Sequence, residues 1–278
     1  MGRTIIIAQI TDFHVRPRGI RAYGVDTNAM LRSAIAKIQS LDPAPDCVIG
    51  TGDLVDCGLA EEYRELAGML GELRMPVFLI PGNHDRREVM RESLSSTHRY
   101  LEQGGKFLHY LIDDFPVRLI ALDTVVAGRT GGRICTEREA WFANALANGD
   151  GRPTLVFMHH PPFATGVPAM DPMMCETLPT FHQLIARHPE IERIVAGHYH
   201  RPIVVRWAGT IGFVAPSTAH QVALDLREGE PTRLILEPPG LALHAYRDDT
   251  GIVSHVVPIG NFGPIREFEL AAEYPGSA

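Results

Sequence analysis

The chain has 278 residues, 33 acidic and 26 basic side chains, and a formal charge of -7. That length suits one large domain, or a domain with an appendage, and a core that needs no disulfides. The acidic balance excludes a generally basic nucleic-acid surface, and 45% hydrophobic with 21% charged residues excludes a disordered chain.

Ile5 to Ile10 is an apolar run ending in Thr11-Asp12 and predicts a buried strand. Met30, Leu31, Ile35 and Ile38 recur at helical spacing within 26–40, with Asp26 or Thr27 placed to cap. Cys47-Val48-Ile49 predicts a second strand, 61–73 a second helix, and Val77 to Ile80 a third strand stopped by Pro81-Gly82. This alternation predicts a parallel α/β sheet with right-handed crossovers. Further strands are expected at 118–122, 154–158 and 194–196, and helices at 136–147 and 177–187. After Pro202 come short β-like runs at 203–207, 211–214, 221–226 and 233–236. Segments 241–246 and 252–258 flank a turn and predict a hairpin. The expectation is a catalytic core over 1–201. Residues 202–278 would supply the remaining core strands and a β-rich extension that caps a pocket or meets a second subunit.

Cys47, Cys57, Cys135 and Cys175 form no CxxC pair and read as reduced, mostly buried thiols. The N-terminus lacks a signal-peptide pattern, Ile6 breaks the myristoylation pattern, and no apolar run reaches the ~20 residues of a membrane span. A soluble cytoplasmic protein with no membrane partner is expected.

Thirteen histidines are many for this composition. Several follow strand ends, where ligands bind in open α/β sheets. Asp12-Phe13-His14, Gly52-Asp53, Gly82-Asn83-His84-Asp85, His159-His160 and Gly197-His198-Tyr199-His200 each close a predicted strand. One such cluster reads as a turn or surface loop. Five at equivalent positions read as a metal centre. Imidazoles and carboxylates without thiolates suit Mn, Fe, Co or Zn, and the number of ligands suits two divalent ions. Such a pair clamps both oxygens of an in-line displacement, and its charge favours phosphate esters.

These motifs, in this order over residues 12–200, resemble the calcineurin-like metallophosphoesterase superfamily. Within it the chain is similar to bacterial class III cyclic-nucleotide phosphodiesterases and, more closely, to the bacterial glycerophosphodiesterase branch. The resemblance rests also on the long loop at 16–23 and on Ala215 to Gln221. It implies an α/β fold: a four-layer α/β-β-α metallophosphoesterase sandwich with a β-rich C-terminal extension. It implies one metal on Asp12, His14, Asp53 and His200 and a second on Asp53, Asn83, His159 and His198. His84 would stand beside the leaving oxygen as charge stabiliser or proton donor, with Asp85 orienting His84 or a ligand imidazole. His220 would touch substrate or support a ligand. The implied reaction is attack of metal-bound hydroxide on the phosphorus of a small phosphodiester, by a homo-oligomer.

Other residues have plainer readings. His160 reads equally as a loop-shaping neighbour or a substrate contact. Arg16, Arg18 and Arg21 read as a solvated loop, with phosphate contact as the alternative. Tyr23 and Tyr199 are candidates to line a pocket, and Cys57 reads as small and buried. The competing functions are a phosphomonoesterase of the same fold and a scaffold that has lost catalysis. A nuclease lacks its basic groove.

Overall fold

The computed structural model describes residues 3–103 and 105–267. β1 (Ile5–Ile10) is buried along nearly its whole length, as a strand in a covered sheet must be. α1 (Thr27–Gln39) begins after Asp26, whose carboxylate accepts the Ala29 amide at 3.0 Å. β2 (Cys47–Thr51), α2 (Ala60–Leu70) and β3 (Val77–Ile80) continue the alternation. The sequence pattern does not announce α3 (Arg87–Leu94), which buries only Met90 and Leu94, or the three-residue β4 (Tyr110–Ile112). β5 (Arg118–Leu122), β6 (Gly132–Arg133), α4 (Thr136–Ala147), β7 (Thr154–Met158), β8 (Cys175–Glu176), α5 (Pro179–Ala186) and β9 (Ile191–Ala196) follow. The remaining strands are β10 (Ile203–Trp207), β11 (Thr210–Val214), β12 (Gln221–Val222), β13 (Leu234–Ile235), β14 (Gly240–Arg247) and β15 (Gly251–Pro258).

The long strands form two sheets where the alternation suggested one. The first runs β15-β14-β1-β2-β3 and the second β10-β11-β9-β7-β5-β4. β1, β2 and β3 are mutually parallel, as are β5, β7, β9 and β11. One core fills the space between the sheets, where Phe157, Val195 and Phe213 meet the first sheet, and continues under α1, α2 and α3. The other packs the second sheet's outer face against Phe142 and Leu146 of α4 and Phe181 and Ile185 of α5. The result is a four-layer α/β-β-α sandwich.

The C-terminal strands complete both sheets. β10 and β11 join the second, and the β14–β15 hairpin pairs antiparallel with β1. The runs expected at 221–226 and 233–236 shorten to the two-residue β12 and β13. The part of the expected extension at 268–278, like Met1 and Gly2, lies outside the described residues. Among the described residues no helix is long and apolar enough to cross a membrane.

A buried polar chain ties the two sheets together. Gln9 Nε2 donates to Thr51 Oγ1 and to the Ala196 carbonyl, each at 2.9 Å. His244 Nε2 donates to Gln9 Oε1 at 3.0 Å, so its Nδ1 accepts from Ser254 Oγ at 2.8 Å. Burial first, and Arg193 second, push the His244 pKa down to about 3. The unfolded chain, with an ordinary histidine near 6.5, therefore binds the proton that the folded chain refuses. Stability is full above pH 6.5 and falls as pH drops toward 3. By linkage His244 alone removes about 2 kcal/mol between pH 7 and pH 5. Urea unfolding at the two pH values checks this: His244→Gln should lose less stability over that interval than the parent chain. Equal losses would dismiss the assignment.

Candidate metal centre

Asp12, Asp53 and Asn83 follow β1, β2 and β3 of the first sheet, and His159 and His198 follow β7 and β9 of the second. The site therefore sits on the seam where the carboxyl-end rims of two sheets meet. Contacts cross that seam directly. The His198 amide donates to both Asp12 oxygens at 3.1 Å, and His159 Nδ1 donates to the Thr51 carbonyl at 2.8 Å.

The backbone is bent to reach this arrangement. Asp12, His14, Asp53, His198 and His200 all have positive φ, between 46° and 72°. Such a conformation costs roughly 1–3 kcal/mol per non-glycine residue, and the surrounding fold supplies it. Two glycines permit the close approach. A Cβ on Gly82 would collide with the Asp53 carboxylate, and one on Gly197 with Thr11 Oγ1 and Asp12.

Asp12, His14, Asp53 and His200 bring their ligand atoms within 4.8 Å of one another. His14 Nδ1 faces Asp56 Oδ1 at 3.2 Å, and His200 Nδ1 donates to the His220 carbonyl at 2.9 Å. Carbonyl and carboxylate oxygens only accept, so both neutral rings carry their proton on Nδ1. Their Nε2 lone pairs then confront each other at 3.3 Å. That contact is repulsive unless a proton or cation lies between them. A cation held by both nitrogens would remove that repulsion.

A second group lies alongside. His159, fixed through Nδ1, points Nε2 at Asn83 Oδ1 at 3.1 Å and at Asp53 Oδ1 at 3.4 Å. His198 packs on His159 with ring centroids 5.0 Å apart, and its buried Nε2 has no hydrogen-bond partner. Asp53 faces both groups, one oxygen toward each, with Oδ2 3.9 Å from His14 Nε2. The residues present thus fit two cations sharing one carboxylate.

The charges agree. Burial would raise the Asp12 pKa, yet His200 and His159 hold it down at about 2. Asp53 is likewise held well below the carboxylate range, burial being outweighed by His159 and His84. Burial, helped by His159, pushes His198 down to about 3, which keeps its imidazole neutral and able to ligate.

His84 lies at the edge of this cluster. Its amide donates to Asp53 Oδ1 at 2.9 Å and its Nδ1 donates to the Asp56 carbonyl at 2.7 Å, which leaves Nε2 for a ligand. Asp85 does not orient His84 or any ligand imidazole. Its oxygens accept from the amides of Leu54 at 3.1 Å and Gly82 at 2.8 Å and from Tyr63 Oη at 2.8 Å. Asp85 thereby clamps the Asp53 and Asn83 loops together. Its pKa rises to about 7 through burial and then the nearby Asp53 charge. His220 closes the opposite side, 4.7 Å from the His200 ring and 5.2 Å from the Tyr23 ring, with a buried Nδ1 that has no partner.

Four smaller expectations change. His160 is held at both nitrogens, by Thr124 Oγ1 at 2.7 Å and the Thr130 carbonyl at 3.0 Å, so it shapes the 124–130 loop. Tyr199 is buried and donates to the Met170 carbonyl, away from the site. Cys57 is exposed, because the turn that follows Asp56 faces solvent. Arg16 is tied to Glu62 at 2.7 Å.

Asp56 and Tyr63 are the residues that the motifs do not reveal. Asp56 lies three positions after Asp53, so its carboxylate was visible, but nothing local shows that it meets His14. Removing such a support costs ~10–100-fold in metal affinity. Asp56→Ala should weaken metal binding by that amount in a titration with Mn or Zn, while Asp26→Ala should not. An unchanged affinity in the Asp56 variant would dismiss the support.

A cavity of about 630 Å³ opens beside Asn83 and His84 and extends to the loop at 127–130.

The calcineurin-like phosphoesterase family model matches residues 5–202. A probable glycerophosphodiester phosphodiesterase of Arcobacter nitrofigilis is 34% identical over 263 residues, 94% of this chain and 96% of the relative. A probable cyclic nucleotide phosphodiesterase of Rhodopseudomonas palustris is 34% identical over 259 residues, 92% of this chain and 93% of the relative. Among solved structures, a dimetal phosphatase from Danio rerio superposes with a TM-score of 0.62 at 14% identity, covering 92% of this chain and 99% of that one. That likeness supports the fold.

Proposed function

This chain belongs to the calcineurin-like phosphoesterase family, and on that premise we propose that it is a dinuclear metal-dependent phosphodiesterase acting on small phosphodiesters. Its substrates are glycerophosphodiesters or cyclic nucleotides, the two classes named for its relatives. The observation that carries the reading is His84, fixed through Nδ1 and edging a cavity beside a shared carboxylate.

Asp12, His14, Asp53 and His200 hold one divalent ion, and Asp53, Asn83, His159 and His198 hold the other. Iron, manganese, zinc and cobalt all suit this donor set. When bound, two such ions lower the pKa of water and offset the charge of the phosphate. Against burial, the Asp53 charge and the Asp56 carbonyl raise the His84 pKa, so the ring as imidazolium keeps Nδ1–H on that carbonyl and presents Nε2–H to the departing oxygen. As the new P–O bond forms and the ester P–O bond breaks, that proton leaves with the alcohol. His220, across from His84, contacts the other side of the phosphate. Asp85 acts through the backbone clamp alone.

A cytoplasmic location and a homo-oligomer belong to the same proposal. Exposed Leu224, Leu226, Leu234, Ile235 and Leu236, gathered in the β12–β13 segment, support the second, because a local run of exposed apolar side chains suits a subunit contact. Residues 1–201 carry the metal ligands and His84, and the segment beyond completes the sandwich and supplies His220.

Metal analysis together with hydrolysis of bis(p-nitrophenyl) phosphate tests the reading. Two ions per chain and turnover of the diester above that of p-nitrophenyl phosphate are expected. A metal-loaded protein that leaves the diester intact, or that prefers the monoester, would overturn it.

A further inference from the structure

The cavity beside His84 contains three arginines that are used in different ways. Arg87 is committed: it pairs with Asp123 through two nitrogens and donates to the Val125 carbonyl. Arg86 and Arg129 also line the cavity, and both are exposed. Among the described residues neither guanidinium has a hydrogen-bond or ion-pair partner.

The Arg86 stem and the Arg129 backbone are nevertheless held in place. The Arg86 stem lies against Gly58, where an added Cβ would meet Arg86 Cγ at 2.5 Å. Arg129 ends a tight turn, its amide donating to the Val126 carbonyl at 3.0 Å across Gly128 at φ 75°. That turn is anchored on both sides. Arg87 and Arg138 hold the Val125 carbonyl, and His160, next to the ligand His159, holds the Thr130 carbonyl. The Arg86 stem and the Arg129 backbone are therefore fixed on the walls of the cavity that His84 also lines.

The acidic groups nearby do not cancel them. Asp56 is turned to His14 and Asp85 is clamped by three donors, so the exposed Glu88 is the one carboxylate lining the cavity without a hydrogen-bond or ion-pair partner among the described residues, and two arginines outnumber it. No tryptophan, tyrosine or phenylalanine lines the cavity. A quaternary ammonium head group therefore finds no Trp, Tyr or Phe face.

We infer that this cavity selects phosphodiesters whose departing alcohol carries a second anionic group, a carboxylate or a phosphate, which Arg86 and Arg129 bind. The inference rests on the phosphodiesterase reading and narrows its substrate class. Guanidinium groups suit both anions by bidentate hydrogen bonding, so the shared feature is the oxyanion.

Matched substrate pairs test it with the metal-loaded full chain. Glycerophosphoserine and glycerophosphoethanolamine differ by one carboxylate, and glycerophosphoinositol 4-phosphate and glycerophosphoinositol differ by one phosphate. The anionic member of at least one pair should show a kcat/KM about five- to tenfold higher, carried mainly by KM and shrinking as salt rises. The pair that responds identifies the anion. In Arg86→Ala and Arg129→Ala the ratio within that pair should fall toward one, and Arg129→Lys should restore part of it. Equal kcat/KM within both pairs in the parent chain would overturn the inference while leaving the phosphodiesterase reading intact. Failure to hydrolyse any diester, bis(p-nitrophenyl) phosphate included, would overturn both. A ratio unchanged in the arginine variants would remove these residues from the assignment.

Discussion

His84→Ala should lower kcat for an alkyl phosphodiester such as glycerophosphoethanolamine by about 10²–10⁴-fold, the usual worth of a positioned general acid. The same variant should lose far less on bis(p-nitrophenyl) phosphate, because p-nitrophenolate departs without a proton. The contrast between the two leaving groups isolates proton donation from metal binding. His84 is suited to such a test because its ring contacts the protein through Nδ1 at the Asp56 carbonyl, while its hydrogen bond to Asp53 is made by the backbone amide. Alanine keeps that amide, so metal content should stay at the parent level. Loss of both ions, or equal falls on both substrates, would remove His84 from the proton-donating role.

Asp53→Asn should take metal content from two ions per chain to fewer than one, and activity down by about 10³-fold or more, since each ion contributes several kcal/mol to the transition state. The reason is geometric. Asp53 is the carboxylate with one oxygen toward the His14 side and the other toward His159. The amide has nearly the same shape and can still accept from the His84 amide, so the fold should survive. Far-UV circular dichroism should match the parent chain, and metal analysis should carry the difference. A variant retaining two tightly held ions would show that the two groups do not share this residue.

Much of the site was legible because its signals are local. A strand that stops in Asp, Asn or His places a polar side chain at a rim whatever the rest of the fold does, and five such stops occur in order, three of them after a glycine. Asp85 was visible as a carboxylate beside His84, but adjacency in sequence did not make it a partner. The turn after Gly82 sends its side chain back to the amides of Gly82 and Leu54 and to Tyr63 of α2. Asp56 took the expected place of Asp85 at His84 through its carbonyl, an acceptor every residue carries and no pattern marks. Cys57 and Tyr199 exchanged the environments expected of them for a similar reason, since exposure depends on what packs over a loop.

The sequence by itself determined the ligand types, their order and the strand ends that carry them, because strand stops and donor chemistry are properties of a few consecutive residues. Only the tertiary structure decided that these ends belong to two sheets facing each other. Gln9 bonds to Ala196 across 187 positions, and His244 bonds to Gln9 across 235. The tertiary structure also decided which arginine is free. Arg86 and Arg87 are neighbours in sequence, yet only Arg87 reaches Asp123 on the far side of the cavity. Such choices follow from which side chains meet through space, and local patterning carries no record of that.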